Sequence, residues 1–199
     1  MSQVRIIDDS DGAIVEYLAE LLDAGERSAL LAELEQVRGR FDRDRVVMYG
    51  KTIDSPRLVC AFGDDGLRYR YAGVDRSTHP WPPHLRATRD RIAALAGHPF
   101  NYALVNLYRT GDDYIGWHAD KVSDLMPGSA IASLSLGAVR PFQLRHKTSG
   151  AAHEVMLASG SLLVMRGTCQ QFYKHSLPRR RGVTEARYNV TFRHVRGDG

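Results

Sequence analysis

Arg187-Tyr188-Asn189-Val190-Thr191-Phe192-Arg193 alternates two kinds of side chain without a break. In an extended strand successive side chains point to opposite faces, so Tyr188, Val190 and Phe192 share one face and Arg187, Asn189, Thr191 and Arg193 the other. An apolar face seated on a core is ordinary for an antiparallel strand. Four polar residues on the opposite face, two of them arginine, suit either a solvated sheet surface or a pocket that binds an anion. The choice between these depends on what the rest of the chain brings to them.

Working outward, short segments rich in β-branched, aromatic and alternating residues precede this strand: Ala103 to Tyr108, Ala130 to Leu136, Phe142 to His146, His153 to Leu157 and Ser161 to Arg166. Turn residues separate them. The first half reads differently. Leu18, Leu21, Leu22, Leu30, Leu31 and Leu34 fall at helical spacing between Ile14 and Arg38, which predicts two short helices broken at Ala24-Gly25, the second beginning near Glu26. Leu85, Ile92 and Leu95 behind a run of prolines predict a helix from Pro83 to Ala96. Helices followed by six or more strands predict an α+β domain built on an antiparallel sheet sandwich.

Composition narrows the field without choosing a function. The chain has 199 residues, 43% of them hydrophobic and 25% charged, enough for one domain with a substantial core. No apolar run is long enough to span a bilayer, so no membrane partner is expected. Met1 to Asp11 carries acidic residues and lacks the layout of a signal peptide, which with two cysteines, Cys60 and Cys169, predicts a reducing, cytoplasmic setting. A net charge of +4 is compatible with a polyanionic partner but does not require one.

Trp117-His118-Ala119-Asp120 places His118 and Asp120 two residues apart, so both reach one side of an extended segment; His175 lies far downstream. Two histidines and a carboxylate suit non-haem Fe(II), because such a set leaves positions open for a cosubstrate and oxygen. A His-x-Asp triplet also arises by chance. Arg187 and Arg193 offer two guanidinium groups, as a dicarboxylate such as 2-oxoglutarate requires, and Asn106 and Tyr108 on a preceding strand add hydrogen-bonding groups.

Taken together, Asn106 to Asp120 (NLYRTGDDYIGWHAD), then PGSAIASLSLGA, RHK, KHSLP and RYNVTFR, resemble the AlkB family of DNA-repair dioxygenases, in particular its duplex-DNA branch typified by AlkB homologue two. The likeness runs from about Val46 to His194. It implies a double-stranded β-helix, or jelly roll, with flanking N-terminal helices and nucleotide-recognition hairpins. The whole chain, 1–199, would be one dioxygenase domain: 1–45 a helical extension, 46–100 the nucleotide-recognition region with its supporting helix, and 101–195 the catalytic core.

By the same resemblance His118, Asp120 and His175 would bind Fe(II), and Arg187 with Tyr108 would hold the distal carboxylate of 2-oxoglutarate. Arg193 and Asn106 would lie near its metal-proximal end, with Asn189 and Thr191 lining the pocket. O2 completes the set of cosubstrates. The reaction implied is oxidative dealkylation of bases such as 1-methyladenine, 3-methylcytosine and etheno adducts in single- or double-stranded DNA, with succinate and carbon dioxide as by-products. Tyr49, with Gly50 and Lys51 beside it, would wedge into the duplex, and Tyr71, with Tyr69 and Arg70, would form the platform for the flipped base. Lys51, Arg57, Arg68, Arg70, Arg145, Lys147 and the run Arg179-Arg180-Arg181 are candidate phosphate contacts, although solvated charge is the ordinary state of such residues.

Lys121 and Val122 follow the metal-binding aspartate, and Val122 stands where related duplex-repair proteins often carry an acidic residue, with Asp124 as a nearby substitute. The expected enzyme is a monomer, nucleoid-associated in a bacterium or nuclear in a eukaryote. The alternatives are a 2-oxoglutarate hydroxylase acting on RNA, protein or a small molecule, and a metal-free nucleic-acid-binding jelly roll.

Overall fold

In the computed structural model the alternating strand becomes β14 (Arg187–Arg193), the centre of a large sheet. The structure describes residues 3–48, 51–67, 69–71, 74–76 and 78–196, without the side chains of 44–48, 51–53, 69–71 and 74–76. On one side β14 pairs antiparallel with β7 (Tyr102–Tyr108), Asn189 opposite Asn106. On the other it pairs with β9 (Ile131–Gly137), Asn189 opposite Ser135.

The remaining strands of this sheet are β1 (Gln3–Asp8), β2 (Ala13–Leu18), β3 (Asp42–Met48), β4 (Lys51–Gly63) and β12 (Leu162–Gly167), in the order β1-β2-β12-β9-β14-β7-β4-β3. A second sheet, ordered β11-β10-β13-β8, holds β8 (Ile115–His118), β10 (Arg140–His146), β11 (Ala152–Leu157) and β13 (Tyr173–Leu177). A separate hairpin pairs β5 (Tyr69–Tyr71) with β6 (Val74–Arg76). Two facing sheets of antiparallel strands give the expected jelly roll.

The period of two decides what each face of the large sheet meets. Ala103, Val105, Leu107, Leu134, Leu136, Tyr188, Val190 and Phe192 form one apolar cluster with Leu30 and Leu34 of α1 (Ala24–Gln36) and Leu85 and Ile92 of α2 (Pro83–Ala96). The opposite face meets the second sheet, where Leu104, Ile131, Leu163 and Met165 pack with Phe142, Leu144, Val155 and Leu177. Asp23 and Glu26 form a capping box at the start of α1. Pro82 cannot cap α2 with a side chain, and the buried Glu33 of α1 accepts from the His84 and Leu85 amides instead, both at 2.8 Å.

The N-terminal region departs from the sequence expectation. One α-helix, not two, lies between Ile14 and Arg38: Ala13 to Leu18 is β2, paired with both β1 and β12, so the stretch expected as a helical extension holds a strand hairpin ahead of α1. Ala13 and Val15 are fully buried on one face of that strand. Leu18, Leu21 and Leu22 imitate a helical stripe, but the Leu21 and Leu22 amides both donate to the Gly160 carbonyl in a bend ahead of α1. β4 likewise pairs with β7, Val59 opposite Asn106, which joins it to the main sheet through backbone hydrogen bonds.

Two loops at one end of the sandwich are bound together. Gly111 donates to the Val183 carbonyl at 2.7 Å and accepts from the Arg180 amide at 2.8 Å. The buried Arg140 donates to the carbonyls of Thr110, Asp113 and Pro178, spanning both loops. A Cβ at Gly111 would overlap the Arg180 carbonyl, which is backbone and cannot swing aside. Gly111→Ala is therefore expected to destabilise the protein by about 1–3 kcal/mol in denaturant unfolding, the usual range for overpacking.

Candidate active site

The inward face of β14 carries the polar residues, and the space between the sheets closes over them. Arg187 is 1% exposed. Its Nη2 donates to Ser135 Oγ at 2.8 Å, whereas Nε and Nη1 are buried without a partner. The Tyr108 ring lies 5.3 Å from the guanidinium. Burial, tempered by Tyr108 and reinforced by the nearby Arg140, lowers Arg187 to about 10, which still leaves it charged at neutral pH. A buried cation with unmet donors calls for an anion, and a carboxylate offers the matching bidentate geometry.

Around it the polar side chains order one another. Asn189 Nδ2 donates to Ser133 Oγ at 2.7 Å and to the Leu134 carbonyl at 3.1 Å, while its Oδ1 accepts from Thr191 Oγ1 at 3.1 Å. Asn106 Oδ1 accepts from Arg57 Nε at 2.7 Å. Arg193 grips Asp120 Oδ2 through Nε at 3.0 Å and Nη2 at 2.7 Å.

His118 and His175 face each other across the β8–β13 ladder, directly in register, with ring centroids 4.2 Å apart. Asp120 lies just beyond the end of β8. One ligand atom from each of His118, Asp120 and His175 falls within 4.8 Å of the others. His118 Nδ1 lies 2.8 Å from the Gly116 carbonyl, so Nδ1 carries the proton and Nε2 keeps its lone pair for a metal. Two neutral imidazoles and one carboxylate fit Fe(II), and the buried Arg187 lines the same cleft.

The cleft thus brings together His118, Asp120, His175, Asn106, Tyr108, Arg187, Asn189, Thr191 and Arg193. Lys121 and Val122 do not line it; Lys121 pairs with Asp124 at 2.8 Å and Val122 is 56% exposed. Tyr49 and Gly50 lie outside the described residues, as does Arg68, and so do the side chains of Lys51, Tyr69, Arg70 and Tyr71. Arg57 is corrected from phosphate contact to cleft lining: it is buried, bonded to Ser55 and Asn106, and shares the inward face of β4 with Val59 and Ala61. Lys147 is engaged by the Gln170 and Gln171 carbonyls, and Arg145 lies over the Trp117 ring.

A second cluster, Asp9, Asp11 and His146, is drawn together differently. Asp9 accepts from Tyr173 Oη, Asp11 N and Ala13 N, and His146 accepts at Nδ1 from the Thr148 and Ser149 amides. His146 Nε2 meets Asp11 Oδ2 at 3.0 Å, which ties the β1–β2 turn to the end of β10.

The metal-free protein should be acid-sensitive. Burial first, then the neighbouring His118, holds His175 down to about 3, and burial lowers His118 as well. Unfolded histidines near 6.5 take up protons that the folded ones refuse, so this stability is complete above about pH 6.5 and drains away as pH falls toward 3. Burial opposes the charge on Asp120, but Arg193, then His175 and His118, hold it at about 2, so its share is lost only below 3.8. Melting curves of metal-free protein should shift downward between about pH 7 and about pH 5, and His175→Asn should flatten that slope. An unchanged slope in the variant would contradict the assignment.

Comparison with known proteins agrees with this geometry. Residues 15–193 match the family model described as 2OG-Fe(II) oxygenase superfamily. The DNA oxidative demethylase ALKBH2 of Mus musculus is 38% identical over 196 residues, covering 94% of this chain and 82% of that protein. ALKBH2 of Bos taurus is 42% identical over 159 residues, 76% of this chain but 57% of that protein. Human alpha-ketoglutarate-dependent dioxygenase alkB homolog 3 is 36% identical over 157 residues, 74% of this chain and 54% of that protein. The chain therefore spans little more than half the length of the last two. A solved structure described as "The structure of OsALKBH1" superposes with a TM-score of 0.68 at 18% identity, covering 90% of this chain and 96% of that one, a likeness of fold. By family match, identity and fold, this chain belongs to the 2OG-Fe(II) oxygenase superfamily, in its AlkB family, with ALKBH2 and ALKBH3 among its relatives.

Proposed function

We propose that this chain removes alkyl groups oxidatively from damaged bases in DNA. The observation that carries the proposal is the single cleft in which a His-Asp-His ligand set adjoins a buried guanidinium with two unmet donors. Relatives named DNA oxidative demethylase support DNA as the substrate class.

Fe(II), 2-oxoglutarate and O2 together supply the oxidising power for hydroxylating an alkyl carbon. The residues of this chain bind, orient and shield. His118, Asp120 and His175 hold the metal, and Arg187 with Tyr108 receives the distal carboxylate of 2-oxoglutarate. Arg193 keeps Asp120 ionised and stands ready at the other end of the cosubstrate. Asn106, Asn189 and Thr191 shape the pocket between them. Leu104, Ile115, Phe142, Met165 and Leu177 supply apolar walls that limit water around the reacting groups.

The base must leave its stack to reach so recessed a site. Tyr49, flanked by Gly50 and Lys51, fills the vacated space in this account; Tyr71, with Tyr69 and Arg70, receives the flipped base. In this reading 1–199 is one dioxygenase domain acting as a monomer in the compartment that holds the genome, with DNA rather than RNA as its polymer. Fe(II)-dependent succinate release on 1-methyladenine and 3-methylcytosine probes, single- and double-stranded, tests the function. Release stimulated by methylated DNA is expected, and stimulation by RNA or no oligonucleotide at all would overturn it. Arg187→Ala should raise the 2-oxoglutarate KM by at least about 100-fold, as expected for a buried pair losing one partner.

Val122 offers a second test, of lesion choice. Valine accepts no hydrogen bond, so a base amine presented to it must find another partner. Lys121 and Ser123 both engage Asp124 at Oδ1, which leaves its Oδ2 as the alternative acceptor; with valine at 122, preference for 1-methyladenine and 3-methylcytosine should weaken relative to amine-free etheno lesions. Val122→Glu should shift the relative rates toward the methylated bases by about tenfold, the scale of one satisfied buried donor. Unchanged relative rates would show that position 122 does not face the base.

A further inference from the structure

Both histidines of the site stand on paired strands, but Asp120 does not. β8 ends at His118 and the next turn begins at Val122, so residues 119–121 join no ladder. The Asp120 main chain is reached instead by a side chain fifty residues away: its N–H donates to Gln170 Oε1 at 2.8 Å. Gln170 is buried, 8% exposed, in α3 (Cys169–Phe172), a single helical turn between β12 and β13. Its Nε2 donates to the Met165 thioether at 3.2 Å. A thioether can only accept and an N–H can only donate, so the two contacts together fix which end of the amide faces Asp120. From outside, Lys147 Nζ donates to the Gln170 and Gln171 carbonyls at 2.9 and 2.7 Å and steadies the turn.

We propose that Gln170 is a positioning residue for the metal ligand Asp120. It gives this irregular segment the main-chain hydrogen bond that a neighbouring strand gives His118 and His175. Arg193 already holds the Asp120 carboxylate, so a bound metal must share that carboxylate with the guanidinium. Sharing works only if the backbone behind it stays put, because carboxylate–metal distances tolerate deviations of only about 0.2 Å. Gln170 supplies that anchor without touching the metal. The inference rests on the Fe(II) reading of the site.

The test is Mn(II) binding to the full chain, followed by the free-ion electron paramagnetic resonance signal, with Co(II) ligand-field absorption as a second readout. Gln170→Leu should bind Mn(II) about 10- to 100-fold more weakly, the range seen when groups that orient a ligand are lost, and should alter the Co(II) bands. Gln170→Glu keeps an acceptor oxygen for the Asp120 N–H and should bind near wild-type strength. Wild-type affinity in a folded Gln170→Leu protein, or a Gln170→Glu protein as weak as Gln170→Leu, would overturn the proposal. Should Gln170→Leu fail to fold, Gln170→Asn, which withdraws the amide by one methylene, must show the same loss; wild-type affinity there overturns the proposal equally. A wild-type chain that binds no Mn(II) would overturn the metal site itself, an outcome distinct from equal binding by wild type and variants.

Discussion

Two buried arginines on one strand face govern this structure. Placing Arg187 and Arg193 between two sheets, where a jelly roll ordinarily puts hydrocarbon, costs several kcal/mol per ion unless each charge is answered. Arg193 is answered within the chain, by Asp120. Arg187 has one hydroxyl partner and two unmet donors. The serines of β9 and the asparagines of β7 and β14 surround these charges with hydrogen bonds, and Tyr108 lays its ring beside Arg187. The cleft is therefore already arranged for an anionic guest, at the expense of the protein's own stability when that guest is absent.

The same arrangement explains the split between the two faces of the main sheet. Tyr188, Val190 and Phe192 seat the helices, and that apolar contact holds β14 in register with β7 and β9. A slip of one residue would carry the arginines to the helix side and the aromatic rings into the site. Hydrophobic packing on one face thus sets the position of the charges on the other. The ladder between β8 and β13 does the equivalent for the histidines, setting His118 opposite His175.

Much of this was legible in the alternation. β7, β9, β10, β11, β12, β14, α2 and the polar face of β14 follow from period and composition, because their side chains are sorted between core and cleft, whereas the short β8 and β13 that carry the histidines show no such period. The N-terminal hairpin was not, since Leu18, Leu21 and Leu22 reproduce helical spacing while belonging to a strand end and a bend. Arg57 reads as surface charge until β4 is paired with β7, which turns it inward onto Asn106. Gln170 gives no signal at all in sequence; its role depends on a one-turn helix meeting an unpaired segment fifty residues away. Periodicity reports the faces of regular elements, whereas contacts between irregular segments need tertiary structure.

The joint occupation of the cleft by a metal and a dicarboxylate is the point on which everything else depends. Calorimetric titration of 2-oxoglutarate into the protein under nitrogen, with and without Mn(II), measures it directly. One equivalent of 2-oxoglutarate should bind, much more tightly when the metal is present, and the heat should vanish with succinate already in excess on the Arg187 side. Binding that ignores the metal, or no binding at all, would contradict the account.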